Sequence, residues 1–161
     1  MDSSYFSPDI QEFIRLLAIH NVKYLIVGGE AVIYYGYARL TGDIDFFYER
    51  TQKNTKALFT ALKDFWNGDI PDLENYQELM NKGAIIQFGR PPNRVDLIND
   101  ISGISFEQAW PNRKIEEIEI GSKKHSVYYI GLKDLIKNKQ NAKRYKDLED
   151  LKYLTSVIEK K

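Results

Sequence analysis

Hydrophobic and polar positions follow two periods along this chain, and the switches between them mark its elements. Apolar Ile10, Phe13, Ile14 and Leu17 recur at helical spacing behind Ser7-Pro8-Asp9, where a hydroxyl precedes a proline with no N–H to lose, so a helix is expected from there to about His20. Tyr24-Leu25-Ile26-Val27 is a short run of β-formers that stops at Gly28-Gly29, and Ala31 to Tyr35 then carries on to Gly36. This reads as strand, tight turn, short helix and glycine stop. Ile44 to Tyr48 gives a second strand. Thr51 can cap a helix whose Ala57, Leu58, Ala61, Leu62 and Phe65 form one stripe closed by Asn67-Gly68, and a weaker helix is expected over Leu73 to Met80.

Ala84 to Phe88 and Arg94 to Ile98 are β-type runs whose five-residue link is too short for a crossover helix, so they should pair as an antiparallel hairpin. Ser105 can cap a short helix through Trp110. Ile115 to Ile120 and Lys124 to Ile130 form a further hairpin around Gly121-Ser122. From Leu132 onward the pattern gives two helices, the second with Leu148, Leu151, Leu154 and Ile158 on one side, and the last few residues are expected to fray. The fold class is α/β in the α+β sense: a mixed sheet flanked by helices, with a C-terminal helical pair. At 161 residues the chain fits one domain, with 1–130 forming the sheet and its flanking helices and 131–161 the C-terminal helices.

Composition narrows the chemistry. The chain has no cysteine, which excludes a disulfide framework, a thiolate metal site and a cysteine nucleophile, so any metal must take oxygen or imidazole ligands. Twenty-three Lys and Arg balance 23 Asp and Glu, so no global field steers the protein to a polyanion and an anion site must be local. The apolar runs fall far short of the roughly 20 residues that span a bilayer. The expected location is the cytoplasm, away from any membrane.

Asp43-Ile44-Asp45-Phe46 carries the first chemical signal. A strand's period of two sends both aspartates to one face and the apolar pair to the other, with Cα atoms roughly 7 Å apart. At an effective dielectric near 20, two carboxylates that close repel by about 2.5 kcal/mol, a sizeable fraction of a total stability of about 10 kcal/mol. A divalent cation reverses that penalty, and Mg²⁺ prefers carboxylate oxygens while leaving positions for water or phosphate. A solvated edge strand with two exposed acids is the plain alternative. Asp96, a lone acid within Arg94-Val95-Asp96-Leu97-Ile98, shifts the balance, because a third carboxylate on the same face makes the cluster that two-metal phosphoryl transfer requires. Asp96 would then lie beside the nucleophile; the alternative is that it pairs with Arg94 or Arg39 across the sheet.

Gly28-Gly29 is the second signal: after a strand, glycine lets the backbone approach a phosphate closely. Taken together, Gly28-Gly29-Glu30-Ala31, Gly36, Arg39, Thr41, Asp43 and Asp45 spell G-G-x-A-x4-G-x2-R-x-T-x-D-x-D, which resembles the first motif of minimal bacterial nucleotidyltransferases of the DNA polymerase β superfamily. The resemblance extends to Asp96 as third acid. It continues at the C-terminus, where Leu135-Ile136, Lys139, Arg144, Lys146-Asp147-Leu148 and Asp150 match the L-I-x2-K-x4-R-x-K-D-x2-D pattern of the branch related to AbiEii-type toxins. It implies a polymerase β palm-like sheet, a glycine turn that holds nucleotide phosphates, and Mg²⁺ (or Mn²⁺) on Asp43, Asp45 and Asp96. Many members have glycine-serine at the turn, whereas Gly29 offers only its backbone N–H, so Arg39 and Thr41 become the nearest phosphate donors. Arg39 suits a bidentate phosphate contact; pairing with Glu30 or Asp45 is its alternative.

Lys133, Lys137, Lys139, Lys143, Arg144 and Lys146 put six positive charges into 14 residues against Asp134 alone, a local anion site on a neutral protein. The resemblance singles out Lys139 and, with it, Arg144 as nucleotide-binding residues, and Asp147 and Asp150, sharing one helical face, could orient either. The tyrosines beside the glycines are packing residues first, though Tyr35 or Tyr37 could stack on a base. The implied activity moves a nucleoside monophosphate from an NTP, with ATP the expected donor, to a hydroxyl of RNA or protein. Minimal nucleotidyltransferases also occur in toxin–antitoxin pairs, so the competing expectation is a weak or inactive member that works by gripping a cognate protein partner.

Overall fold

The computed structural model describes residues 1–159; Lys160 and Lys161, at the end expected to fray, lie outside them. Six strands form one mixed sheet in the order β3-β4-β2-β1-β6-β5, where β1 is Tyr24–Val27, β2 Asp43–Tyr48, β3 Ile85–Phe88, β4 Arg94–Ile98, β5 Lys114–Ile120 and β6 Lys123–Tyr129. Strands β3 with β4 and β5 with β6 are the two antiparallel hairpins expected from their short links. β1 runs antiparallel to β2 and parallel to β6, and β2 runs parallel to β4.

Among the described residues seven α-helices pack around the sheet: α1 (Pro8–Ile19), α2 (Gly28–Tyr34), α3 (Gln52–Phe65), α4 (Gln77–Met80), α5 (Phe106–Ala109), α6 (Leu132–Ala142) and α7 (Tyr145–Glu159). The caps follow from the sequence. The Ser7 hydroxyl accepts the Ile10 N–H, the Thr51 hydroxyl accepts that of Asn54, and Ser105 and Gln108 form a reciprocal capping box.

Period-two alternation divides the core between the two sheet faces. Tyr24, Ile26, Ile44, Phe46, Tyr48, Val95 and Leu97 meet Phe13, Ile14 and Leu17 of α1 and Leu58, Ala61 and Leu62 of α3. Each such buried aromatic or aliphatic side chain stabilises the fold by about 1.5–3 kcal/mol. Leu25, Val27 and Phe47 on the opposite face meet Ala31, Val32, Phe106, Leu135 and Leu154. That second face is apolar at one end of β2 and β4 and acidic at the other.

Three expectations need correction. No separate turn joins β1 to its helix: α2 begins at Gly28 itself, whose φ of +67° makes the corner within a single residue. The helix expected over Leu73 to Met80 is only the four residues of α4, because the Glu78 carboxylate accepts the N–H groups of Glu74 and Asn75 and holds that segment outside the helix. On α7 the apolar stripe is displaced: Leu148 is 56% exposed, and the buried side carries Asp147, Asp150 and Leu154. Among the described residues no helix is long and apolar enough to cross a membrane.

Candidate active site

The acidic end of the second sheet face follows from strand register. Asp45 is paired with Val27 of β1 on one side and with Asp96 of β4 on the other, while Asp43 lies opposite Arg94. Asp43, Asp45 and Asp96 therefore share one face, as the alternation of β2 and β4 requires, and each contributes a carboxylate oxygen within 4.8 Å of the others. Like charges at about 5 Å repel by roughly 3 kcal/mol at an effective dielectric near 20, so three such groups need a cation. Burial, and then the Asp43 and Asp96 charges, push the Asp45 carboxyl up to about 7. The donors are all hard oxygens, so the set fits Mg²⁺ or Mn²⁺.

One cation is already present. The Arg94 guanidinium lies 2.6 Å from Asp43 Oδ2 and, through Nε, 3.1 Å from Asp96 Oδ1. The sequence offered Arg94 as an alternative partner for Asp96, and the pairing exists alongside the carboxylate cluster.

The glycine pair presses against these acids. A Cβ added to Gly28 would collide with Asp45 Oδ2, and one added to Gly29 would come within 2.7 Å of Arg39 Nη2 and 2.9 Å of Thr41 Oγ1. Only a backbone without side chains leaves this corner open. The Thr41 hydroxyl donates to the Asp43 carbonyl at 3.2 Å, which ties the loop before β2 to the first acid.

Arg39 pairs with neither Glu30 nor Asp45. Its Nε lies 2.9 Å from Asp150 Oδ1 on α7, while Glu30 instead accepts the Tyr5 hydroxyl. Asp150 is shared with Lys139, whose Nζ is 3.1 Å from its Oδ2 and 2.9 Å from Asp147 Oδ1. Lys139 is 1% exposed, so its ammonium is spent on two buried carboxylates and faces no open cleft. Asp147 also accepts Arg144 Nε at 2.8 Å. Burial would raise the Asp147 carboxyl, but the Arg144 and Lys139 cations bonded to it outweigh that and hold it at about 2. Asp147, Asp150, Lys139, Arg39 and Arg144 thus form one ionic network from the C-terminal helices to the glycine corner.

Of the residues the sequence singled out, Gly28, Gly29, Arg39, Thr41, Asp43, Asp45 and Asp96 meet at one end of the sheet. Arg144 stands at their rim, with Asp147 first and Asp45 among the acids that raise its pKa. Lys139 lies behind them. Lys146 is a further cation felt by Asp45, where it opposes the upward shift; the sequence places it in the basic run and in the C-terminal pattern but gives it no role in the site. Tyr37 stacks on Tyr153 at 4.7 Å, and the Tyr35 hydroxyl donates to the Ile130 carbonyl, so both rings are engaged in packing.

No curated protein matches this chain. A family model does, across residues 8–159, a span that includes every residue of the acidic cluster, the glycine corner and the C-terminal network: the chain belongs to the family described as nucleotidyltransferase of unknown function (DUF6036).

Proposed function

We propose that the protein transfers a nucleoside monophosphate from an NTP, with ATP as donor, to a hydroxyl group on RNA or protein. The acceptor hydroxyl gives up its proton to solvent as its oxygen bonds to the α-phosphorus, the bond from that phosphorus to the oxygen bridging to the β-phosphate breaks, and pyrophosphate leaves. The observation that carries this reading is the convergence of Asp43, Asp45 and Asp96 opposite a glycine corner where any side chain would collide. Bound Mg²⁺ supplies charge neutralisation at the reacting phosphate and lowers the pKa of an attacking hydroxyl. The chain's own residues then divide the remaining work. Asp43, Asp45 and Asp96 would hold the metal, Gly28 and Gly29 let the backbone approach the phosphates, Arg39 brings positive charge to the corner while Asp150 holds its fork, Thr41 fixes the loop before the first acid, and Arg144 adds positive charge at the rim. Lys139 acts from behind by fixing Asp147 and Asp150, which in turn hold Arg144 and Arg39.

The C-terminal L-I-x2-K-x4-R-x-K-D-x2-D pattern supports membership of the minimal branch related to AbiEii-type toxins, and so a role within a toxin–antitoxin pair. A second reading, a catalytically weak member that binds a protein partner, draws on one observation: Arg94 already neutralises two of the three acids. Incubation with each labelled NTP, Mg²⁺ and cell lysate separates the two. Transfer of label to RNA or protein by the wild type, absent in Asp45→Asn, supports the enzyme; no labelling and no metal-dependent NTP binding at millimolar concentration would leave the binding reading.

A further inference from the structure

Arg94 is the first residue of β4, directly opposite Asp43 in the register, with a side chain 34% exposed. Its fork spans Asp43 and Asp96, with Nη2 at 2.6 Å from one and 3.3 Å from the other, and Nε at 3.1 Å from Asp96. These are two of the three carboxylates that would hold a metal. A guanidinium stays protonated at any physiological pH, so it cannot vacate the site by losing its charge. It has to move. A metal that recruits all three acids must displace a charge-assisted, forked contact, and that loss is offset only if the freed guanidinium finds another anion within reach.

The incoming triphosphate is such an anion. We infer that Arg94 is a resident counter-cation that makes the acidic site accept metal and nucleotide together: it holds Asp43 and Asp96 while the site is empty and turns to the nucleotide's phosphates when the metal enters. This rests on the nucleotidyltransferase reading and adds a positioning residue to it. The two ligands become coupled, since each relieves a contact that opposes the other, and the coupling is reciprocal by thermodynamic necessity.

The test uses Mn²⁺ as probe, its free form followed by electron paramagnetic resonance, in the full chain with and without an NTP analogue bridged by methylene between the α and β phosphates. Wild type is expected to bind Mn²⁺ weakly alone and at least about tenfold more tightly with the analogue, within the usual range of coupling between sites. Arg94→Gln should bind Mn²⁺ alone about tenfold more tightly than wild type, with most of the coupling lost. Arg94→Lys, which keeps the charge, should bind Mn²⁺ alone as weakly as wild type, which shows that a change in Arg94→Gln is not simply altered folding. Asp43→Asn combined with Arg94→Gln should lose the gain, placing the ion on the acids. Weaker or unchanged Mn²⁺ binding in Arg94→Gln, with coupling intact, overturns the inference and leaves the nucleotidyltransferase reading standing. If neither protein binds Mn²⁺ with or without the analogue, that reading falls and the inference falls with it.

Discussion

Gly28 and Asp45 stand so close that a methyl group on the first would overlap the carboxylate of the second. The glycine also sits at φ +67°, so two separate penalties meet at one position. Gly121 has nearly the same φ, +66°, with nothing near its missing side chain, and supplies the control. Gly121→Ala is expected to cost about 1 kcal/mol, the conformational penalty alone. Gly28→Ala should cost roughly 3 kcal/mol or more, since overlap in a packed site adds to it. Urea unfolding of both variants measures the difference, and equal losses would show that the Asp45 contact does not constrain the corner.

Lys139 is the charge on which the C-terminal helices depend. Replacing it with Met leaves two buried carboxylates short of a partner and should destabilise the protein by about 3–5 kcal/mol. Adding Asp150→Asn removes one of those stranded charges, so the double variant should recover part of the loss. A double-mutant cycle that came out additive would contradict the network.

Stability should depend on pH in a sense unusual for a carboxylate. Asp45 titrates near 7 in the folded protein against an ordinary value of 3.8, so between those limits the folded state keeps a proton that the unfolded chain has released. Its contribution to stability is therefore greatest below about pH 4 and declines as pH rises through 7. Asp147, held at about 2, acts in the usual direction and loses its contribution as pH falls below about 4. In EDTA, Asp45→Asn should abolish the decline between pH 4 and 7 and be the more stable protein at pH 8, while saturating Mg²⁺ with an NTP should flatten the wild-type curve. An identical slope in both proteins would place the titration elsewhere.

Arg39→Lys keeps a positive charge but loses the fork. NTP affinity should fall about tenfold, the worth of a good charge-assisted contact, while Mn²⁺ binding without nucleotide is unchanged. Isothermal titration with each ligand measures both; a parallel loss of Mn²⁺ binding would mean that Arg39 supports the acids rather than the phosphates.

Much of this architecture was legible in the residues. Short apolar runs and glycine stops located the strands, and the links after Phe88 and Ile120 were too short for anything but hairpins. The alternation in Asp43-Ile44-Asp45-Phe46 placed two acids on one face. Sequence could not say that β4 lies beside β2, because the period of a strand names its buried side and not its neighbour; the pairing of Asp45 with Asp96 is a tertiary fact. The burial of Lys139 is hidden from the sequence for a related reason. A lysine in a basic run reads as solvated or ligand-facing, and only the placement of Asp147 and Asp150 on the inner side of α7 makes its burial tolerable. The same inward acids displaced the apolar stripe and left Leu148 outside.

Because Asp150 serves both Lys139 and Arg39, α7 is fastened to the corner after β1 by charge as well as by apolar contact. A chain cut back before Leu132 would bare Leu25, Val27 and Phe47 and strip Arg39 of its anchor at once, so a search for a smaller working fragment should yield insoluble protein. Grafting either segment into another protein would meet the same obstacle, because Arg39, Lys139, Asp147 and Asp150 are joined by charge and would have to be moved together.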